Sequence, residues 1–159
     1  MSKKTEEAVK LFKEGYNCCQ SVFGVFAEEY GVEKEVALKL ATSFGAGFGR
    51  MREVCGAFSG MCLVAGMETG VAEAHDQQGK AYNYTTVQQL AEDFKAMSGG
   101  SIICKELLGL SQLEHSPIPD KRTEQYYKKR PCIELVENAV RILEETLANN
   151  KAFSYNNDN

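Results

Sequence analysis

The stretch from Phe44 to Gly66, FGAGFGRMREVCGAFSGMCLVAG, sets the tightest limit on how this chain folds. Gly45, Gly47 and Gly49 alternate with Ala46 and Phe48, and glycine at every second position favours backbone angles that end a helix and make a turn. From Glu53 the pattern changes. Val54, Ala57, Phe58, Met61, Cys62, Val64, Ala65 and Met67 form a nearly continuous apolar run interrupted by small residues. A helix that is apolar all round must be buried on nearly every side. At about 14 residues it is too short to cross a bilayer, which takes about 20. The expectation is a central core helix from Glu53 to Met67. Gly56 and Gly60 lie one turn apart, and would let another helix, or a cofactor, approach closely.

The rest of the chain reads as helices around that one. Thr5 caps a first helix carrying Ala8, Leu11 and Phe12, stopped at Gly15. Asn17 caps a second, running to about Tyr30 with Gly31 as its stop, and a third spans roughly Glu33 to Phe44. A long helix is expected from Ala72 to Met97, interrupted near Gly79 or Asn83. Ser101 caps a short helix with Cys104 at its third position, and Gly109 ends it. From Leu110 to Arg130 the chain is polar and carries Pro117 and Pro119, so it reads as a long surface loop of the kind that often forms a lid. Pro131 suits the first position of a last helix and Cys132 its second, with Leu135, Val136, Ala139, Val140, Ile142, Leu143 and Leu147 as the buried side. No segment reads as a strand. The expected fold is all-α: one compact bundle of about five or six helices over residues 1–148, with a central buried glycine-rich helix and a disordered tail over 149–159.

The string Cys55-Gly56-Ala57-Phe58-Ser59-Gly60 fits a CGAxxG motif. With it, in order, come Asn17-Cys18, the Phe44-Gly45 loop, Cys104 followed by Glu106-Leu107-Leu108-Gly109, and Cys132 leading the last helix. On these landmarks the chain, from about Ala8 to Leu147, resembles the redox-active family named for its C-GCAxxG-C-C cysteine pattern. The resemblance implies a small, mostly helical protein that works through four cysteines, here Cys18, Cys55, Cys104 and Cys132. Cys19 and Cys62 fall outside the pattern and read as packing.

Those four cysteines all fall near expected helix starts. The positive end of a helix stabilises a thiolate, and is expected to lower a cysteine pKa by one or more units from about 8.5. Arg50 and Arg52 before Cys55, and Lys128, Lys129 and Arg130 before Cys132, act in the same direction. Each cysteine taken alone is better read as a small buried apolar side chain, and it is the four together, with the family resemblance, that favour a function. Cys18 and Cys19 are adjacent and cannot easily bridge, while Cys55 and Cys62 stand about 10.5 Å apart along one helix, past the roughly 7 Å limit for a disulfide. The four family cysteines are too far apart in sequence for a zinc ribbon. Brought together by the fold, they could hold an iron–sulfur cluster or zinc as metal ligands, or cycle as dithiol pairs.

His75 and His115 sit in polar stretches and read as solvated, and Tyr126 and Tyr127 could line a pocket. The GAGFG run lacks the strand and acidic residue of a dinucleotide loop, though its N–H groups could meet a small anion. A net charge of −4 argues against nucleic acid as a partner. The charged start, MSKKTEEAVKLF, has no secretory signal pattern, so a cytoplasmic protein with no membrane insertion is expected. In a reducing compartment six cysteines point to metal binding, catalysis or plain burial. The family resemblance implies a cytoplasmic thiol-based redox protein, an oxidoreductase whose Cys18, Cys55, Cys104 and Cys132 exchange electrons with an unidentified redox partner or small molecule, directly or through a bound metal centre. The alternatives are a non-catalytic cysteine-ligated iron–sulfur or zinc protein and a helical binding module with structural cysteines. A homo-oligomer is compatible with any of them.

Overall fold

The computed structural model describes residues 1–112 and 115–157, with side chains as far as Asn150. The fold is all-α, as expected. Helices of seven or more residues build the bundle: α1 (Lys3–Lys13), α2 (Cys18–Gly24), α3 (Lys34–Thr42), α5 (Gly56–Thr69), α6 (Gln77–Met97) and α9 (Cys132–Asn157). Of three shorter segments, α4 (Gly45–Phe48), α7 (Cys104–Leu107) and α8 (Glu124–Lys129), α7 is the short helix expected around Cys104, while α4 and α8 fall where a turn and a loop were expected, and together the three take the helices past the five or six expected. Among the described residues the only β feature is one antiparallel bridge, Val54 to Ile103. No described helix is long and apolar enough to cross a membrane. The backbone of α9 continues to Asn157, while residues 158 and 159 of the expected tail lie outside the described residues.

Side-chain caps set the starts of α1, α2, α6 and α8. Asn17 accepts from the Gln20 N–H at 2.9 Å while the Gln20 side chain accepts from the Asn17 N–H at 2.9 Å, a reciprocal box that fixes the start of α2. Ser2, not Thr5, caps α1: its hydroxyl accepts from the Thr5 N–H at 3.1 Å, and Thr5 is buried inside the first turn. Asp76 caps α6 by accepting from the Gly79 N–H at 2.8 Å, so that helix begins at Gln77 rather than Ala72. It is not interrupted. Asn83 stays in the helix and donates sideways to Thr69 Oγ1 at 2.8 Å. The second helix stops at Gly24, and a 3₁₀ turn over Ala27–Tyr30 carries the chain to left-handed Gly31 (φ 76°).

The core helix is where its apolar pattern requires it to be. Ala57, Met61 and Val64 on α5 are fully buried, and α5 packs against α2, α6 and α9. Burying a Met or Val side chain stabilises by about 1.5–3 kcal/mol. A Cβ on Gly60 would stand 2.8 Å from Val22 Cβ and 3.2 Å from the Cys19 carbonyl, so glycine is what lets α2 and α5 touch backbone to side chain. The helix begins at Gly56 instead of Glu53 because the preceding residues are drawn into the bridge. The Cys55 N–H donates to the Ile102 carbonyl at 2.7 Å and the Cys104 N–H to the Glu53 carbonyl at 2.6 Å.

Candidate functional site

The glycine-rich run folds as a left-handed turn. Ala46 (φ 55°), Gly47 (φ 70°), Phe48 (φ 63°) and Gly49 (φ 59°) follow one another in that region. The Gly49 N–H reaches the Gly45 carbonyl at 3.0 Å. For a residue with a side chain this conformation costs about 1–2 kcal/mol, and Arg50 (φ 68°) and Arg52 (φ 59°) share it. The strained backbone turns both arginines inward, leaving Arg50 8% and Arg52 3% exposed. Gly47 is required here on two counts: its φ is positive, and a Cβ would lie 2.7 Å from Cys104 Cβ and 2.6 Å from Arg52 Cα.

Four helix starts then bring four cysteines to one cavity of about 290 Å³. Cys18, Cys104 and Cys132 are the first residues of α2, α7 and α9, and Cys55 is the N-cap of α5. Cys104 and Cys132 thus sit earlier in their helices than the third and second positions expected. The bridge between Val54 and Ile103 places Cys55 beside Cys104. Gly56 makes room for Cys18, whose Sγ stands 2.3 Å from where a Cβ at position 56 would be. Gly56 lines the cavity and Gly60 does not. Cys19 and Cys62 do not line it either, and Cys19 is fully buried in the core. All six cysteines are free thiols.

Segment 117–130 forms the other wall, through Pro117, Pro119, Asp120, Arg122, Tyr126 and Arg130. The expected loop therefore contains α8, capped by Thr123 accepting from the Tyr126 N–H at 3.2 Å. Asp120 holds it to the opposite wall. Its carboxylate accepts from Arg50 at 3.1 and 3.2 Å, Arg52 at 3.3 Å and Arg130 at 2.8 Å. Arg122 donates to the Phe12 carbonyl at 2.8 Å and the Tyr16 carbonyl at 3.0 Å, and lies over the Phe12 and Tyr126 rings. Tyr126 lines the cavity, whereas Tyr127 turns away to donate to the Lys13 carbonyl at 3.3 Å. Lys128 and Lys129 are exposed, leaving Arg130 as the member of that basic run that reaches the thiols. His75 and His115 are exposed.

The electrostatics overturn one expectation. Helix starts are where the cysteines sit, but for Cys55, Cys104 and Cys132 burial outweighs the favourable fields and moves the pKa up. Burial pushes the Cys132 thiol up to about 12, with the neighbouring Cys18 and Cys104 adding to it and Arg130 and Arg122 opposing. Burial also raises Cys55, against the Phe58 and Ala57 N–H groups at its helix start. Cys104 is raised by burial too, while the Arg52 guanidinium, 3.9 Å from its Sγ, pulls the other way. For Asp120 the balance reverses: burial opposes its charge, but Arg130, Arg50 and Arg52 together hold the carboxyl below its usual range.

Among the described residues no group of three or more His, Cys, Asp or Glu stands close enough to hold a metal ion. The four thiols as arranged do not form a preformed zinc or iron–sulfur site. The sequence reading named Arg50, Arg52 and Arg130 as charges beside the cysteines but missed Asp120 and Arg122, since Asp120 lies 70 residues from Arg50 and neither residue belongs to a motif.

Compared with known proteins, residues 16–146 match the family model described as "Putative redox-active protein (C_GCAxxG_C_C)". No curated protein and no solved structure matches the chain.

Proposed function

The chain belongs to the C_GCAxxG_C_C family, and on that premise we propose that it is a thiol-based oxidoreductase that exchanges electrons through Cys18, Cys55, Cys104 and Cys132. The observation that carries this reading is that four cysteines scattered along the chain meet at one cavity while Cys19 and Cys62 stay out of it. The electron acceptor is a disulfide, on a small molecule or a redox partner. A cavity thiolate attacks one sulfur of that disulfide and the other sulfur leaves as a thiolate that takes up the proton. A second cavity thiol then displaces the remaining sulfur, and the cavity is left with one disulfide while two electrons and two protons have passed to the acceptor.

Cys104 is the best placed of the four for the first attack, because Arg52 offsets part of the burial that holds its proton. Gly56 and Gly60 serve the thiols in this reading, by admitting Cys18 and α2 against α5, and they need no separate cofactor. The chemistry suits the cytoplasm, where a reducing poise keeps the thiols ready.

The test is equilibration of the reduced protein with mixtures of reduced and oxidised glutathione, followed by mass-spectrometric mapping. A sharp two-electron transition that joins two of the four thiols Cys18, Cys55, Cys104 and Cys132 and leaves Cys19 and Cys62 reduced, lost in Cys104→Ser and Cys18→Ser, is the expected result. Oxidation spread evenly over all six cysteines, or unchanged in both variants, would overturn it.

A further inference from the structure

Size limits what can reach the four thiols. Cys55 and Cys104 are buried, and the cavity that all four cysteines line has a volume of about 290 Å³. At about 30 Å³ for each water, that space suits roughly ten water molecules, or one molecule of roughly a dozen non-hydrogen atoms. Exchange between a thiolate and a disulfide passes through a mixed disulfide, so one half of the acceptor has to stay in the cavity until a second thiol displaces it. Leu107, Leu108, Pro117, Pro119 and Leu135 form part of the lining. Their side chains offer no hydrogen-bond partner, so the amides of a peptide drawn in beside them would lose water without replacement.

We propose that the electron acceptor of this cavity is a compact low-molecular-weight disulfide, of roughly a dozen non-hydrogen atoms or fewer, and not a disulfide within a protein chain. Such an acceptor presupposes the thiol exchange set out above and narrows its substrate class. The attack breaks the acceptor's S–S bond and forms the mixed disulfide, and the departing half leaves as a thiolate that takes up a proton. The second cavity thiol then breaks the mixed disulfide, forms a disulfide between two cavity cysteines and releases the other half as a thiol. Two electrons and two protons have passed to the acceptor, and both of its halves are free to leave.

Three acceptors test this at pH 8 on fully reduced protein: bis(2-hydroxyethyl) disulfide, the same uncharged disulfide with both arms lengthened by ethylene glycol units to about five times its size, and an unstructured peptide closed by a single disulfide. Disulfide formation among Cys18, Cys55, Cys104 and Cys132 is timed by acid quenching and mass-spectrometric mapping, which keeps any reaction of Cys19 and Cys62 apart. In the folded protein the short acceptor should react about thirtyfold faster, or more, than either large one, while in protein unfolded by guanidinium chloride the three should agree within about threefold, because access alone separates them. The glutathione titration reads an equilibrium, which acceptor size does not move, so the two experiments fail independently. Rates in the folded protein that do not fall with acceptor size, or a peptide disulfide as fast as the short one, would overturn the proposal and leave the thiol reading in place. No disulfide among the four cysteines with any acceptor would remove both.

Discussion

The two walls of the cysteine cavity are held by different forces. One wall, made by the start of α2, the left-handed turn and the start of α5, is held by shape. Cys18 Sγ fills the space a side chain at position 56 would take, and the turn between Gly45 and Arg52 has room for glycine alone at position 47. The other wall, from Pro117 to Arg130, is held by charge and stacking, through Asp120 on three guanidiniums and Arg122 between Phe12 and Tyr126. The first cannot yield a methyl group without disturbing the core. The second rests on ion pairs and cation–ring contacts, which salt and acid weaken, so access to the thiols is expected to be governed by the second.

The largest effect should come from adding one methyl group to the shape-held wall. In Gly56→Ala the new Cβ meets Cys18 Sγ at 2.3 Å, the Phe44 carbonyl at 3.1 Å and the Cys19 N at 3.2 Å, with backbone on two of three sides. Overpacking of this kind costs about 1–3 kcal/mol or more, read as a fall in the denaturant midpoint. The same substitution three turns along the helix should do the reverse. Gly66 has nothing within 4 Å of its Cβ position, and Gly66→Ala should stabilise by about 0.5–1 kcal/mol through helix propensity alone. Equal effects at the two positions would show that the close fit around Gly56 does not hold this wall.

That shape-held wall was the more legible from sequence. The glycine alternation marked a turn, the continuous apolar run marked the central helix, and Asn17 marked the start that carries Cys18, because each of these signals acts between near neighbours. What the sequence hid was long-range or energetic. Ala46, Phe48, Arg50 and Arg52 adopt left-handed angles that their side chains alone disfavour, and tertiary packing imposes them. Asp120 meets arginines on the far side of the fold. The cysteine pKa values went astray for a related reason: a helix start is visible in sequence, while the burial that outweighs its field depends on which segment covers it.

A smaller effect, on access rather than on stability, belongs to the charge-held wall. Asp120→Asn should speed alkylation of Cys104 and Cys132 by an uncharged maleimide about tenfold, with a circular dichroism spectrum unchanged, and 1 M salt should move the unaltered protein in the same direction. Acid tests the same contact. Because the folded carboxyl lies below its usual value, its contribution is fully present above the unfolded pKa of about 3.9 and is lost as pH falls through the lower folded value. Alkylation too slow to follow at pH 7 in the Asp120→Asn variant would show that the wall does not depend on this carboxylate.

Alkali acts through the thiols themselves. Cys132, pushed by burial up to about 12, and Cys62, pushed up to about 11, both lie above an unfolded thiol near 8.5. Raised values mean that the stabilisation is complete below about pH 8.5 and is lost as pH climbs through the folded values. Denaturant midpoints at pH 8, 9 and 10 should therefore fall in that order. Replacing Cys132 with serine should flatten the trend.

The smallest effect separates two neighbours in the chain. Cys18 and Cys19 are adjacent, yet Cys18 lines the cavity and Cys19 is fully buried in the core. Alanine at position 19 loses a sulfur atom's packing, which should cost about 1 kcal/mol, and should leave the glutathione titration of the other cysteines unchanged. Serine at position 18 keeps nearly the same volume beside Gly56 and so should change stability less, but it removes the thiol that lies electrostatically close to Cys55, Cys104 and Cys132 and should remove the redox transition. The pair of variants separates packing from chemistry within a single turn of helix. If Cys19→Ala abolished the transition and Cys18→Ser did not, the working sulfurs would lie in the core and the cavity would be a bystander.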